Sequence, residues 1–140
     1  MKTISWTLFL LLLVLVGCTN KEENVKLLQG RTWQLKTMSF EGKTVQIPEK
    51  SPDLQFSDSS AFYGFAGCNR FFGKYDVKEQ GDLTIHLGGS TMMSCPDMDF
   101  EQIYLNAISK VERYTVGKKE LVLKDSKGKL NLQYTLKNDN

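Results

Sequence analysis

Histidine is almost missing from this sequence: His86 stands alone among 140 residues. It alternates with Leu83, Ile85 and Leu87, so it is expected to point away from the core that those residues line. A nucleophilic Cys–His pair needs hydrogen-bond reach and a third group to orient the base, and the spacing supplies neither. No catalytic residues and no cofactor are therefore assigned, and a non-enzymatic role is expected. Charge of one sign is also scarce. The formal net charge is +2, with Lys and Arg interleaved with Asp and Glu. Nucleic-acid-binding domains are usually strongly basic with clustered cations, so no nucleic-acid partner is expected. Proline and cysteine occur three times each, and after Val16 no long apolar run remains.

The apolar run that does exist is at the start. Met1-Lys2 is a short positive opening, Ile4 to Val16 is leucine-rich and nearly uncharged, and Gly17-Cys18 closes it. A bilayer-spanning helix takes about 20 apolar residues, so the segment reads as a signal peptide over an uncleaved anchor. Its Leu-Val-Gly-Cys ending resembles a bacterial lipoprotein signal, with residues 1–17 removed and Cys18 carrying the lipid. Residues 18–24 then read as a polar tether and residues 25–137 as one domain. Each buried acyl CH₂ contributes about 0.8 kcal/mol, so two or three chains anchor a protein stably where one does not. The expected location is the cell envelope. In a Gram-negative bacterium it is the outer membrane, facing the periplasm, since Thr19 is not aspartate.

With Cys18 assigned to lipid, Cys68 and Cys95 remain as an even pair in an exported chain. A disulfide between them is the leading reading. It would close a loop of about 27 residues, for roughly 3–4 kcal/mol on the chain-entropy model. Free buried thiols are the alternative. Reduced, the two cysteines with Met92, Met93 and His86 would form a soft donor set suited to Cu(I), which gives an alternative function as a copper-binding envelope lipoprotein.

The remainder reads as short strands with one convincing helix. Trp33 and Leu35 alternate within 32–38, and Phe71, Gly73, Tyr75 and Val77 share a face within 71–77. Further strand patterns cover 43–47, 54–56, 61–67, 83–87, 114–116, 120–124 and 130–136. After Pro96, the residues Phe100, Ile103, Tyr104, Ala107, Ile108 and Val111 recur at helical spacing and predict an apolar stripe. Asp97 is a fair N-cap, and Asp97, Asp99 and Glu101 suit the helix dipole. Asn24 caps at most a single turn over 25–28. The fold class that follows is α+β: a curved antiparallel sheet or incomplete β-barrel of about eight short strands, plugged by one amphipathic helix.

Two motifs carry a resemblance. Gly67-Cys68-Asn69-Arg70-Phe71-Phe72-Gly73-Lys74-Tyr75 resembles the GCN-x-x-x-G-x-Y signature of the META domain family, which includes HslJ-like heat-inducible lipoproteins. Thr91-Met92-Met93-Ser94-Cys95-Pro96 resembles the family's T-x-M-A-C, with Ser94 in place of alanine. The opening Leu28-Gln29-Gly30-Arg31-Thr32-Trp33-Gln34-Leu35 is similar to its L-x-G-x-W-x-L start. The resemblance implies a cracked barrel like that of lipid-binding secretion pilots. It also implies a link to the cell envelope, stress and drug tolerance, without an established reaction.

Read from its residues, Cys68-Asn69-Arg70 is a hairpin tip, with Asn69 able to take positive φ. The aromatics beside it either fill the core or leave an outer patch for an envelope protein, lipid or glycan. The candidate binding residues are Asn69, Arg70 and Phe72 on the hairpin, and Met92 and Met93 in the following loop; arginine and aromatics are enriched at interface hot spots. The lipid assignment has a direct check. Cys18→Ser is expected to abolish lipidation, since serine offers no thiol for the thioether. Mass spectrometry of the membrane-bound protein reads this, and an intact Met1 terminus with unmodified Cys18 contradicts the assignment.

Overall fold

The computed structural model describes residues 21–138; the signal peptide at 1–17 and the lipidation site Cys18 lie outside these. The described residues open with helix α1 (Lys21–Leu28). The sequence suggests only a single turn here, with Lys21 to Asn24 as tether. Instead the helix takes in those four residues. Glu22 and Glu23 occupy its first turn and Lys26 its last, which favours the helix dipole at both ends. Lys21 also pairs with Glu79 at 3.9 Å. The indole of Trp33 donates to the Leu28 carbonyl at 3.0 Å, tying the helix end to the sheet.

Among the described residues nine strands follow, all paired antiparallel: β1 (Thr32–Phe40), β2 (Lys43–Thr44), β3 (Asp53–Phe56), β4 (Ala61–Phe65), β5 (Arg70–Val77), β6 (Leu83–Ser90), β7 (Arg113–Val116), β8 (Glu120–Lys124) and β9 (Asn131–Leu136). A 3₁₀ turn at Glu79–Gly81 precedes β6, and helix α2 (Met98–Ser109) stands between β6 and β7. Spatial order is β6-β5-β4-β3-β1-β9-β8-β7, with β2 paired only to β1. The sheet curls until its edges nearly meet. They touch through the Asp82–Arg113 bridge and a hydrogen bond from the Leu83 amide to the Glu112 carbonyl at 2.9 Å. The result is an incomplete barrel, with α2 covering part of its interior.

Alternation builds the core as the sequence indicates. Trp33, Leu35, Leu54, Phe56, Phe62, Phe71, Leu83 and Leu121 are all essentially inaccessible. Aromatic rings set the geometry. Phe56 meets Tyr75 edge-on at 4.9 Å, and Phe71 meets Tyr104 of α2 edge-on at 5.8 Å, contacts worth about 0.5–1.5 kcal/mol each beyond area. Gly73 is required by this packing. A Cβ there would stand 2.1 Å from the His86 carbonyl oxygen and 2.7 Å from the Phe62 ring.

Three local expectations are corrected. Leu87, expected inside, is 38% exposed. The β5–β6 register shifts between Phe72 and Gly73, and Leu87 is left opposite Gly73, which has no side chain to cover it. Ile103, expected in the buried stripe of α2, is also 38% exposed, while Glu101 is buried. Asp97 holds the N-cap position but makes no side-chain cap hydrogen bond.

The helix is fixed to the sheet by a buried pair of phenols, with Tyr104 and Tyr134 hydroxyls 2.9 Å apart. Burial is the main cause that raises both phenol pKa values above 10, and the same cause raises Tyr75 and Tyr114. The fold therefore resists ionisation that the unfolded chain accepts. Below the unfolded tyrosine pKa of about 10 this stabilisation is fully present, and it is lost as pH rises further. Urea unfolding is expected to show stability falling steadily above pH ~10. Tyr134→Phe should flatten part of that slope, and an unchanged slope would contradict the assignment.

Candidate functional site

The turn between β4 and β5 is built by Ala66 to Asn69. Gly67 takes φ +102°, a conformation that L side chains rarely adopt. The positive φ expected at Asn69 thus belongs to Gly67. The Ala66 amide donates to the Asn69 carbonyl at 2.8 Å and closes the turn.

Asn69 itself is not a surface residue. It is 1% exposed, and its side chain is consumed on all sides. Its Nδ2 donates to Glu101 Oε1 at 2.8 Å and to the Met93 carbonyl at 3.1 Å. Its Oδ1 accepts from the Met93 amide at 2.7 Å and from Thr91 Oγ1 at 2.9 Å. Its backbone amide donates to Glu101 Oε2 at 2.6 Å. Both carboxylate oxygens of the buried Glu101 are thereby matched, as a buried charge requires. The hairpin, the loop 91–97 and helix α2 converge on this one side chain. Asn69 is removed from the list of residues available to a partner; its role is to position the others.

The disulfide joins the same loop to the same turn. Cys68 and Cys95 are bridged, with Cα atoms 5.9 Å apart. This settles between the alternatives left by sequence: the thiols are not free, and the copper reading loses both of its thiolates. Among the described residues, no group of three His, Cys, Asp or Glu side chains is placed to hold a metal ion. His86 faces outward beside Asp76 at 3.6 Å, both largely exposed, and such a pair is worth little.

The remaining candidates are exposed and adjacent. Alternation on β4 turns Phe62 inward and Tyr63 outward; Tyr63 is 48% exposed and pairs across strands with Phe72, 58% exposed. The Phe72 ring lies over Gly88 and Gly89, where an added Cβ would meet it at 3.2 and 3.1 Å. Met92 is 95% and Met93 57% exposed. Arg70 is exposed at the start of β5, and its carbonyl accepts from the Thr91 amide at 2.9 Å, binding the methionine loop to the hairpin. Arg70, Phe72, Met92 and Met93 thus belong to one end of the molecule. Tyr63 joins them unassigned by sequence, since alternation leaves open which of Phe62 and Tyr63 turns outward. Glu101 was also missed, though it lies three residues before Tyr104 and seven before Ile108, on the apolar stripe itself. An acid at that position is the available signal.

This architecture defines an α+β domain of the cracked-barrel kind, with a disulfide-linked loop displaying apolar side chains at one end. The META domain model matches residues 26–137, and the chain belongs to the META domain family. Among solved structures, a protein from Burkholderia xenovorans determined by NMR is 26% identical. The match covers 83% of this chain and 88% of that one, with a TM-score of 0.69. A DUF4847 family protein from Bacteroides vulgatus, solved by crystallography, shares the fold at 11% identity, covering 82% of this chain and 98% of that one, with a TM-score of 0.65. No curated protein matches the chain.

Truncating the hub should be costly. Asn69→Ala leaves Glu101 Oε1 and both backbone groups of Met93 without their partner, while the backbone amide of residue 69 still meets Glu101 Oε2. A buried unsatisfied polar group costs about 1–3 kcal/mol, and a charged one more. Urea unfolding should show a loss of about 3 kcal/mol, with the disulfide intact. A loss below 1 kcal/mol would show that the hub is not structural.

Proposed function

We propose that this protein is a lipid-anchored, non-enzymatic component of the cell envelope that supports stress tolerance by binding another envelope protein. In this reading the contact is made by Arg70, Phe72, Met92 and Met93, with Tyr63 beside them. One observation carries it: four large apolar side chains are exposed, Tyr63 and Phe72 as a cross-strand pair on β4 and β5, and Met92 and Met93 on a loop that is otherwise held tightly. Aromatics, methionine and arginine are the residues enriched at protein interfaces. Burying one such side chain contributes about 1.5–3 kcal/mol. A preordered loop keeps more of that energy than a loop that must be ordered on binding. Anchoring through Cys18, and an outer-membrane position facing the periplasm in a Gram-negative host, rest on the Leu-Val-Gly-Cys ending of the apolar run. The stress role rests on the family resemblance.

Arg70→Ala and Phe72→Ala remove exposed side chains and should leave the fold intact. Pulldown from membranes carrying the anchored protein is expected to lose its partner with either variant, and stress tolerance should fall in parallel. If both variants anchor normally, keep the pulldown profile and keep full tolerance, the surface is architectural and this reading fails.

A further inference from the structure

The end of the barrel that receives the chain from its N-terminus has a different character. A groove of about 780 Å³ opens there, and Lys78, Lys110, Arg113, Lys127 and Lys129 line it above Phe40. Four carboxylates share the lining, and each already has a partner. Glu41 pairs with Lys110 and Asp82 with Arg113, both at 3.6 Å. Glu112 accepts the Ser126 amide, and Asp125 accepts the Lys129 and Leu130 amides. Among the described residues the ammonium groups of Lys78 and Lys129 form no ion pair, and Lys127 closes none either, acting on Glu112 only through space, where it helps to lower that carboxyl pKa behind the hydrogen bonds from Ser126. Lys78 also lines an adjoining hollow with Lys21, the first residue of α1.

Lys21 is three residues beyond Cys18, a span of at most about 10 Å. A chain acylated at Cys18 would hold this end of the barrel against the bilayer surface. The Debye length is about 10 Å at 0.1 M salt, so the lysines around the groove would lie within the field of anionic headgroups. We propose that this end docks on the anchoring bilayer and that the groove takes phosphates of anionic phospholipid headgroups. The inference rests on the acylation of Cys18 and adds a second contact to it. Phe72 is five residues before Val77 along β5, about 17 Å toward the opposite end, so the apolar surface points away from that bilayer.

The test uses the full acylated protein in vesicles of phosphatidylcholine alone or mixed with phosphatidylglycerol. Lysines are labelled with a water-soluble amine reagent and read by peptide mass spectrometry. Lys21, Lys78, Lys127 and Lys129 should label roughly fivefold more slowly in the anionic vesicles, and high salt should abolish the difference. Lys50 and Lys74, on other parts of the surface, should not respond. Lys127→Glu with Lys129→Glu should restore fast labelling at Lys78. Equal labelling in both vesicles with Cys18 acylated overturns the proposal while leaving the anchor standing. Unmodified Cys18 in the same digest overturns the anchor, and the proposal with it. Equal protection by inorganic phosphate without vesicles overturns the bilayer assignment.

Discussion

A primary amide side chain offers two N–H donors and a carbonyl oxygen with two lone pairs. In Asn69 each of these is directed at a different piece of chain: the donors at Glu101 of α2 and at the Met93 carbonyl, the oxygen at Thr91 and the Met93 amide. Aspartate would lose both donors, and glutamine would place the same groups one methylene too far out. The arrangement also accounts for a buried carboxylate in an apolar helix stripe. Glu101 is tolerated because the backbone and side chain of one residue satisfy both of its oxygens. The orientation of α2, the course of loop 91–97 and the start of β5 all follow from that junction.

The curvature of the sheet has a second source in the aromatic rings beneath it. The outer ring atoms of Phe62 and Phe71 reach the backbone of neighbouring strands at Gly73 and Gly64, which leave them space; a Cβ on Gly64 would stand 2.2 Å from the Asp53 carbonyl oxygen. Backbone can then approach ring across β3, β4 and β5, and the sheet closes tightly enough for one helix to fill it. The bulge at Gly88 belongs to the same economy of space, since it places the Gly88–Gly89 pair beneath Phe72.

Most of the fold was legible in the sequence because strand alternation and helical spacing are local signals. Trp33 with Leu35, Phe71 with Tyr75, and Tyr104 with Ile108 each announce their buried face within a few residues. What escaped depends on partners far along the chain. Asn69 reads locally as a turn residue, and only Glu101, 32 residues on, makes it a buried hub. Leu87 fits the alternation of β6, but its exposure is decided by a register shift against β5. Lys21 to Asn24 has no apolar period, and its helix is supported by Glu79 and the sheet end rather than by its own side chains. The apolar surface was half legible: the residue types of Phe72, Met92 and Met93 marked it, while the outward choice of Tyr63 over Phe62 required the sheet's handed curl.

Loop 91–97 contains no helix or strand, yet its alternate residues are fastened. The Thr91 amide and hydroxyl bond to Arg70 and Asn69, Met93 bonds to Asn69 through both backbone groups, and Cys95 is covalently joined to Cys68. Fixing one residue's backbone costs about 1–2 kcal/mol of conformational entropy, and here folding meets that cost before any partner arrives. Between the fastened positions Met92 stands almost wholly in solvent. A methionine needed only for stability gains nothing there, since its thioether and methylenes bury no area. A rigid loop that presents a flexible, polarisable side chain outward suits a partner surface better than it suits a core.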